Sequence, residues 1–208
     1  MNLFNDDSKI IQSLQTFGGL IILNICYILC CIPVITAGAA TIALYTVTLN
    51  EADSRSGSAS ALFFKVFRSE FQKSIKLWLL LLFMGAVIVY NFIFLYANPQ
   101  IQSGLFRGIL ISVTVIYAMI MTYIFPISAR YENSLLAALR NSLALAAGNL
   151  PMTVLMVLIN SIPLLILLFS IRVFILISVF LVFFYFSVAA RINSAILVRI
   201  FRKLDKET

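Results

Sequence analysis

The stretch Ile28–Tyr45, ILCCIPVITAGAATIALY, decides how the chain is read. Ile28 to Ile32 is entirely apolar, as in a membrane helix. Pro33 then interrupts it, Thr36 and Gly38 follow, and helix-like apolar sequence resumes through Tyr45. Three readings compete: one kinked helix, a signal-peptide cleavage region, or the turn of a hairpin. The surrounding run narrows them. Ile10 to Asn50 spans 41 residues without Asp, Glu, Lys or Arg. As continuous helix it would measure about 60 Å, twice the hydrocarbon thickness of a bilayer. Proline removes a backbone donor and disfavours helix at the residue before it. Thr36 is placed to cap a new helix, with Gly38 and Ala39 in its first turn. The stretch therefore predicts a broken helix or hairpin over 17–50, with its two parts at Phe17–Ile32 and Ala37–Asn50. Gly38, Ala39, Ala40 and Ala43 offer a face that a neighbour can approach closely. Ala37-Gly38-Ala39 resembles a cleavage site, but Asp6 and Asp7 outnumber Lys9 where a basic segment is expected, and the apolar run is too long.

The rest of the chain belongs to the same class. Hydrophobic residues make up 62% and charged residues 11%, and the mean hydropathy is +1.05. A soluble domain of 208 residues could not cover such a core. Leu77–Phe106, Gly108–Ala129, Asn141–Ile171 and Val173–Ala190 are free of charge as well. A crossing needs about 20 apolar residues. No alternating barrel pattern is present, so the spanning elements are helices. The expected fold is an all-α polytopic bundle in a single membrane domain. A short N-terminal segment, 1–16, precedes the broken helix. Two crossings are expected over 77–127 and two over 151–190, followed by a basic tail over 191–208. Amphipathic helices link them. In 61–76, Phe63, Phe64, Phe67, Phe71 and Ile75 recur at helical spacing while Lys65, Arg68, Lys73 and Lys76 face elsewhere. That pattern predicts an interfacial helix, with the four phenylalanines at a membrane face or against a partner. A second such helix is expected over 130–148, with Leu135, Leu136, Leu139, Leu143 and Ala147 on one face, and with Arg130 and Glu132 in a local ion pair. Gly148, Asn149 and Pro151 stop it and start the next, with Asn149 as N-cap. Pro163 should kink the crossing that follows.

The net charge of +7 does not indicate nucleic acid, because the cations flank apolar runs instead of forming one patch. They set orientation. With a full N-terminal hairpin, only Arg107 and Arg172 of the 15 Lys and Arg lie outside, leaving 13 inside; with a single crossing Lys9 joins them and 12 remain inside. Both counts put the C-terminus in the cytoplasm, and both five and six crossings remain open.

Catalytic chemistry has little to build on. There is no histidine, no paired-carboxylate site and no phosphate-cradling glycine loop. Cys26, Cys30 and Cys31 lie in an apolar run without acidic neighbours, so neither a metal nor a cofactor is expected. The intramembrane polar residues are read first as interhelical bonds and as backbone repair beside Pro33 and Pro163. A polar pocket at Asn91, Asn160 and Arg191 is the alternative.

The Cys31, Pro33, Val34, Thr36 and Gly38 signature resembles that of the YesL family of bacterial membrane proteins. FFKVFRSEFQKSIK is similar to that family's aromatic-basic helix, and Asn141, Gly148, Asn149 and Pro151 to its later segment. Ala39 stands where many members have a second proline. The resemblance implies a multi-pass protein of the bacterial plasma membrane. It also implies a place beside carbohydrate-uptake systems or their sensor kinases, with no catalytic residue to carry over. The expected function is that of a non-enzymatic accessory or regulatory protein in contact with the bilayer and such a complex. The alternative is a small-solute carrier.

Overall fold

The computed structural model describes residues 18–52, 58–98, 100, 104–132 and 134–207. The segment 1–16, most of the serine-rich loop and the link at Pro99 lie outside them. The order is α1 (Gly18–Cys31), a 3-10 turn (Val34–Thr36), α2 (Ala37–Ala52), α3 (Ala59–Ala97), α4 (Gly104–Arg130), α5 (Leu135–Gly148), α6 (Leu150–Phe169), α7 (Ile171–Phe180), a π-helical stretch (Leu181–Tyr185) and α8 (Phe186–Glu207). Ala59–Ala97, Gly104–Arg130, Leu150–Phe169 and Ile171–Lys203 are long and apolar enough to cross a membrane.

The chain reverses at Pro33. Tyr27 lies four residues before the end of α1 and Thr41 four after the start of α2, and their hydroxyls meet at 3.3 Å. Thr41 gives its own proton to Ala37 O (2.7 Å), so Tyr27 is the donor between the two helices. Thr36 does not cap α2. It closes the turn: its hydroxyl donates to Pro33 O (2.7 Å) and reaches Cys30 O, and its amide donates to Pro33 O at 2.9 Å. The end of α1 needed a donor more than the start of α2 needed an acceptor, because Pro33 has none to give.

α2 is the hub. Ten of its 16 residues are buried, and it packs on α3, α4 and α8. The small residues make this approach close. A Cβ built on Gly38 would stand 2.6 Å from Trp78 Cβ and 2.9 Å from Cγ, and the Trp78 indole N–H donates to Val34 O at 2.6 Å. The crossing helices are the opposite case. α6 buries only Thr153 and Met156 among its described residues, and α7 none. Their apolar sides face outward, where lipid tails solvate them as well as a protein core would.

Three expectations change. The stretch 61–76 is not a separate helix; it runs unbroken into the first crossing as α3. No glycine or proline falls between Ala59 and Ala97 except Gly85, so nothing stops the helix. The helix expected from Arg130 begins at Leu135, because α4 continues through Pro126 to Arg130. Finally, α5 presents a different face. Ala138, Ser142 and Ala146 are buried, whereas Leu136 is 80% exposed and Leu135 and Leu143 are also exposed. Small residues allow α5 to lie close on α4, and leucine loses little by facing lipid.

The Gly38–Trp78 contact is directly testable. Gly38→Ala should lower stability in detergent by about 1–3 kcal/mol through overpacking. Trp78 is the chain's one tryptophan, so its fluorescence should shift in the same variant. An unchanged melting temperature and spectrum would show that α2 and α3 do not meet there.

Candidate functional site

Two polar assemblies and one aromatic surface carry the chemistry available. The first assembly joins α1 to the π stretch. A π turn misaligns the backbone ladder and frees carbonyls. Asn24, fully buried, donates to Leu181 O (3.2 Å) and Val182 O (2.6 Å) and accepts from the Ser187 amide (2.7 Å). The Ser187 hydroxyl then donates to Leu20 O at 2.9 Å. On the neighbouring turn Tyr185 donates its hydroxyl to Ile159 O. Ile159 is four residues before Pro163, so this is the carbonyl that the proline leaves without an amide.

The second assembly is a seam between α2, α6 and α8. Tyr45, Thr48 and Glu51 recur on one stripe of α2. Asn193 donates to Tyr45 Oη (3.2 Å) and to Asn160 Oδ1 (2.8 Å). Ser194 meets Thr48 at 2.8 Å, with Ser194 as donor because Thr48 already donates to Leu44 O at 3.1 Å. Arg191 pairs with Glu51 at 3.2 Å, both partly exposed. Asn193 is completely buried, yet its Oδ1 has no hydrogen-bond partner. Exchanging the two ends of that amide would only leave its NH2 group in the same position.

Of the three residues expected as a pocket, Asn160 and Arg191 stand on this seam in separate contacts, Asn160 with Asn193 and Arg191 with Glu51. Asn91 does not join them; it bonds its own helix at Val87 O (2.8 Å). Asn24 and Asn193 were outside the expected pocket; they belong to the intramembrane polar residues read as interhelical bonds, and both make such bonds. A signal for the seam existed in the spacing of Tyr45, Thr48 and Glu51, which recur on one stripe of α2.

The motif residues are structural here. Pro33, Val34, Thr36 and Gly38 form the turn and its contact with Trp78, and Cys31 ends α1. Gly148 ends α5, and Pro151 sits in the first turn of α6. Asn149 makes no N-cap bond to α6; its side chain donates back to Leu145 O at 3.1 Å. Among the described residues no group of three or more His, Cys, Asp or Glu gathers that could hold a metal.

At the charged end of the bundle, Arg130 and Tyr131 both bond Asp205, at 2.8 and 3.0 Å, over the buried Phe201 ring. The expected local pair of Arg130 with Glu132 is thus replaced by a long-range one, and Glu132 lies 3.6 Å from Lys73. Burial, helped by Asp205, raises the Tyr131 phenol above its ordinary value, so it stays a neutral donor. A cleft of about 300 Å³ opens beside it, lined by Glu70, Lys73, Tyr131 and Glu132 above Ile42 and Leu77.

The four phenylalanines divide. Phe63 is fully buried in the core, stacked on Phe67 with ring centres 6.2 Å apart. Phe64, Phe67 and Phe71 line an open trough of about 520 Å³ with Arg68 and Gln72.

These features define a polytopic helical protein of membrane type, whose described polar interior serves mainly to join its own helices. A family model described as "Protein of unknown function, DUF624" matches residues 20–92, from α1 through most of α3. The chain is also 26% identical over 171 residues to "Uncharacterized protein YesL" of Bacillus subtilis (strain 168), covering 80% of this chain and 76% of that protein. No solved structure matches. The chain is thus similar, over part of its length to that family and over most of it to YesL, to proteins of unknown function.

The repair of Ile159 by Tyr185 makes a double-mutant test possible. Tyr185→Phe should cost about 1–3 kcal/mol by leaving a half-buried carbonyl unmet. In a Pro163→Ala background the new amide can take that carbonyl, and the same substitution should cost much less. Equal costs in both backgrounds, by unfolding in detergent, would reject the repair.

Proposed function

We propose that this is a non-enzymatic accessory or regulatory protein of the bacterial plasma membrane, with its C-terminus in the cytoplasm. It works by contact between its helix faces and another membrane complex. The observation that supports this reading is how the interior polar groups are used. Asn24, Tyr185, Thr48, Ser194 and the Arg191–Glu51 pair all bond within the bundle. Working surface is left mainly on the outside. The orientation rests on the distribution of Lys and Arg. The link to carbohydrate uptake or its signalling rests only on the resemblance of the motifs.

A second reading, a small-solute carrier, draws on the enclosed Asn193 Oδ1 without a partner. An unmet buried acceptor is costly, and a second arrangement of α6 and α8 that satisfied it would suit a transport cycle. One pair of experiments separates the readings. Purification of the tagged chain in mild detergent should bring down subunits of a transport or sensor complex reproducibly. The protein alone in liposomes should take up no sugar above empty vesicles. Sugar uptake that Asn193→Leu abolishes would overturn the accessory reading in favour of the carrier. Co-purification of a complex unrelated to sugars would remove the carbohydrate link alone.

A further inference from the structure

We infer that the trough on α3 is a binding site for one anionic phospholipid, with acyl chain against Phe64, Phe67 and Phe71 and headgroup phosphate on Arg68. Phe64 is 50% exposed and Phe67 and Phe71 are half-buried. Leaving such rings in water is unfavourable by about 25 cal/mol per Å² of apolar surface. Phe63, locked in the core, stacks on Phe67, and Phe67 meets Phe71 at 6.0 Å, so the floor is fixed from within. Arg68 and Gln72 are the polar members of the lining, and the exposed Lys65 lies one turn back on the same helix. Arg68 makes no ion pair among the described residues, and the nearest acid in sequence, Glu70, lies 3.8 Å from Lys73. An aromatic trough with an unneutralised guanidinium suits a ligand that is apolar along one part and anionic at the other.

The helix supplies the lipid's source. α3 runs without a break from the trough into a candidate crossing, so the site is tethered to a bilayer. Arg68 precedes Leu77 by nine residues, about 14 Å along the axis. The headgroup layer is only about 5–8 Å deep on each side. The assignment therefore requires the first part of α3 to lean onto the membrane face.

Native mass spectrometry of the full chain in detergent tests the site, with phosphatidylglycerol, phosphatidylcholine or inorganic phosphate added. Phosphatidylglycerol should bind in preference to phosphatidylcholine, and phosphate alone should not compete. Arg68→Gln should weaken phosphatidylglycerol about fivefold, the effect of one cation near an anionic surface. Phe64→Ser should weaken both lipids with the charge unchanged. Arg140→Gln, an exposed cation elsewhere, should change nothing, and Trp78 fluorescence checks that each variant is folded. Equal binding of the two lipids, competition by free phosphate, or equal losses in Arg68→Gln and Arg140→Gln would each overturn the assignment. So would protection of a Phe64→Cys thiol only when a co-purified protein is present.

Discussion

A backbone carbonyl freed inside an apolar protein must be met by a donor from the chain itself, and this constraint shapes most of the structure. Water cannot do it within a bilayer. Several irregularities of the helices accordingly come with their own donor. At Pro33 the donors are Thr36 and the Trp78 indole. At the junction of α5 and α6 the Asn149 side chain adds a second donor to Leu145 O, beside the Asn149 amide. At Pro163 it is Tyr185, and at the π stretch it is Asn24. Several of these donors come from a different helix, so repairing a break also joins two helices. The breaks are where the bundle is held together.

This accounts for the position of the short helix α2. Its sequence is not more apolar than that of the crossings, yet it is the most enclosed helix of the molecule. Small residues let α3 and α8 approach it, and its polar stripe of Tyr45, Thr48 and Glu51 then finds partners on α8. The crossings need no such enclosure, because lipid covers them. Burial in this protein follows closeness of packing and polar pairing more than hydrophobicity, as expected where the solvent is itself apolar.

The signature around Pro33 has a physical meaning in these terms. Pro33 makes the break, Thr36 and Val34 O are the two ends of its repair, and Gly38 is the space into which Trp78 fits. The family match over residues 20–92 holds all of these parts, including Trp78. They form one interlocking turn.

Much of the architecture was determined by sequence alone. Uncharged runs of sufficient length define membrane-type helices whatever their packing, and Pro33 in a run too long for one crossing predicts a break there; the structure made that break a reversal. The aromatic stripe on α3 was visible as helical spacing. Tertiary structure decided which side of each helix is inside. Periodicity marked the leucines of α5 as a face, but in an apolar solvent that face need not be buried, and Ala138, Ser142 and Ala146 were buried instead. Phe63 was separated from Phe64, Phe67 and Phe71 only by its neighbours in the core. Thr36 and Asn149 looked like caps for the helices that follow them; their side chains donate to carbonyls behind them instead. The pairing of Asn193 with Asn160 and of Asn24 with a π turn joins residues 33 and more than 150 positions apart. A hydrogen bond over such separations depends on where the helices come to rest, and local sequence does not encode that.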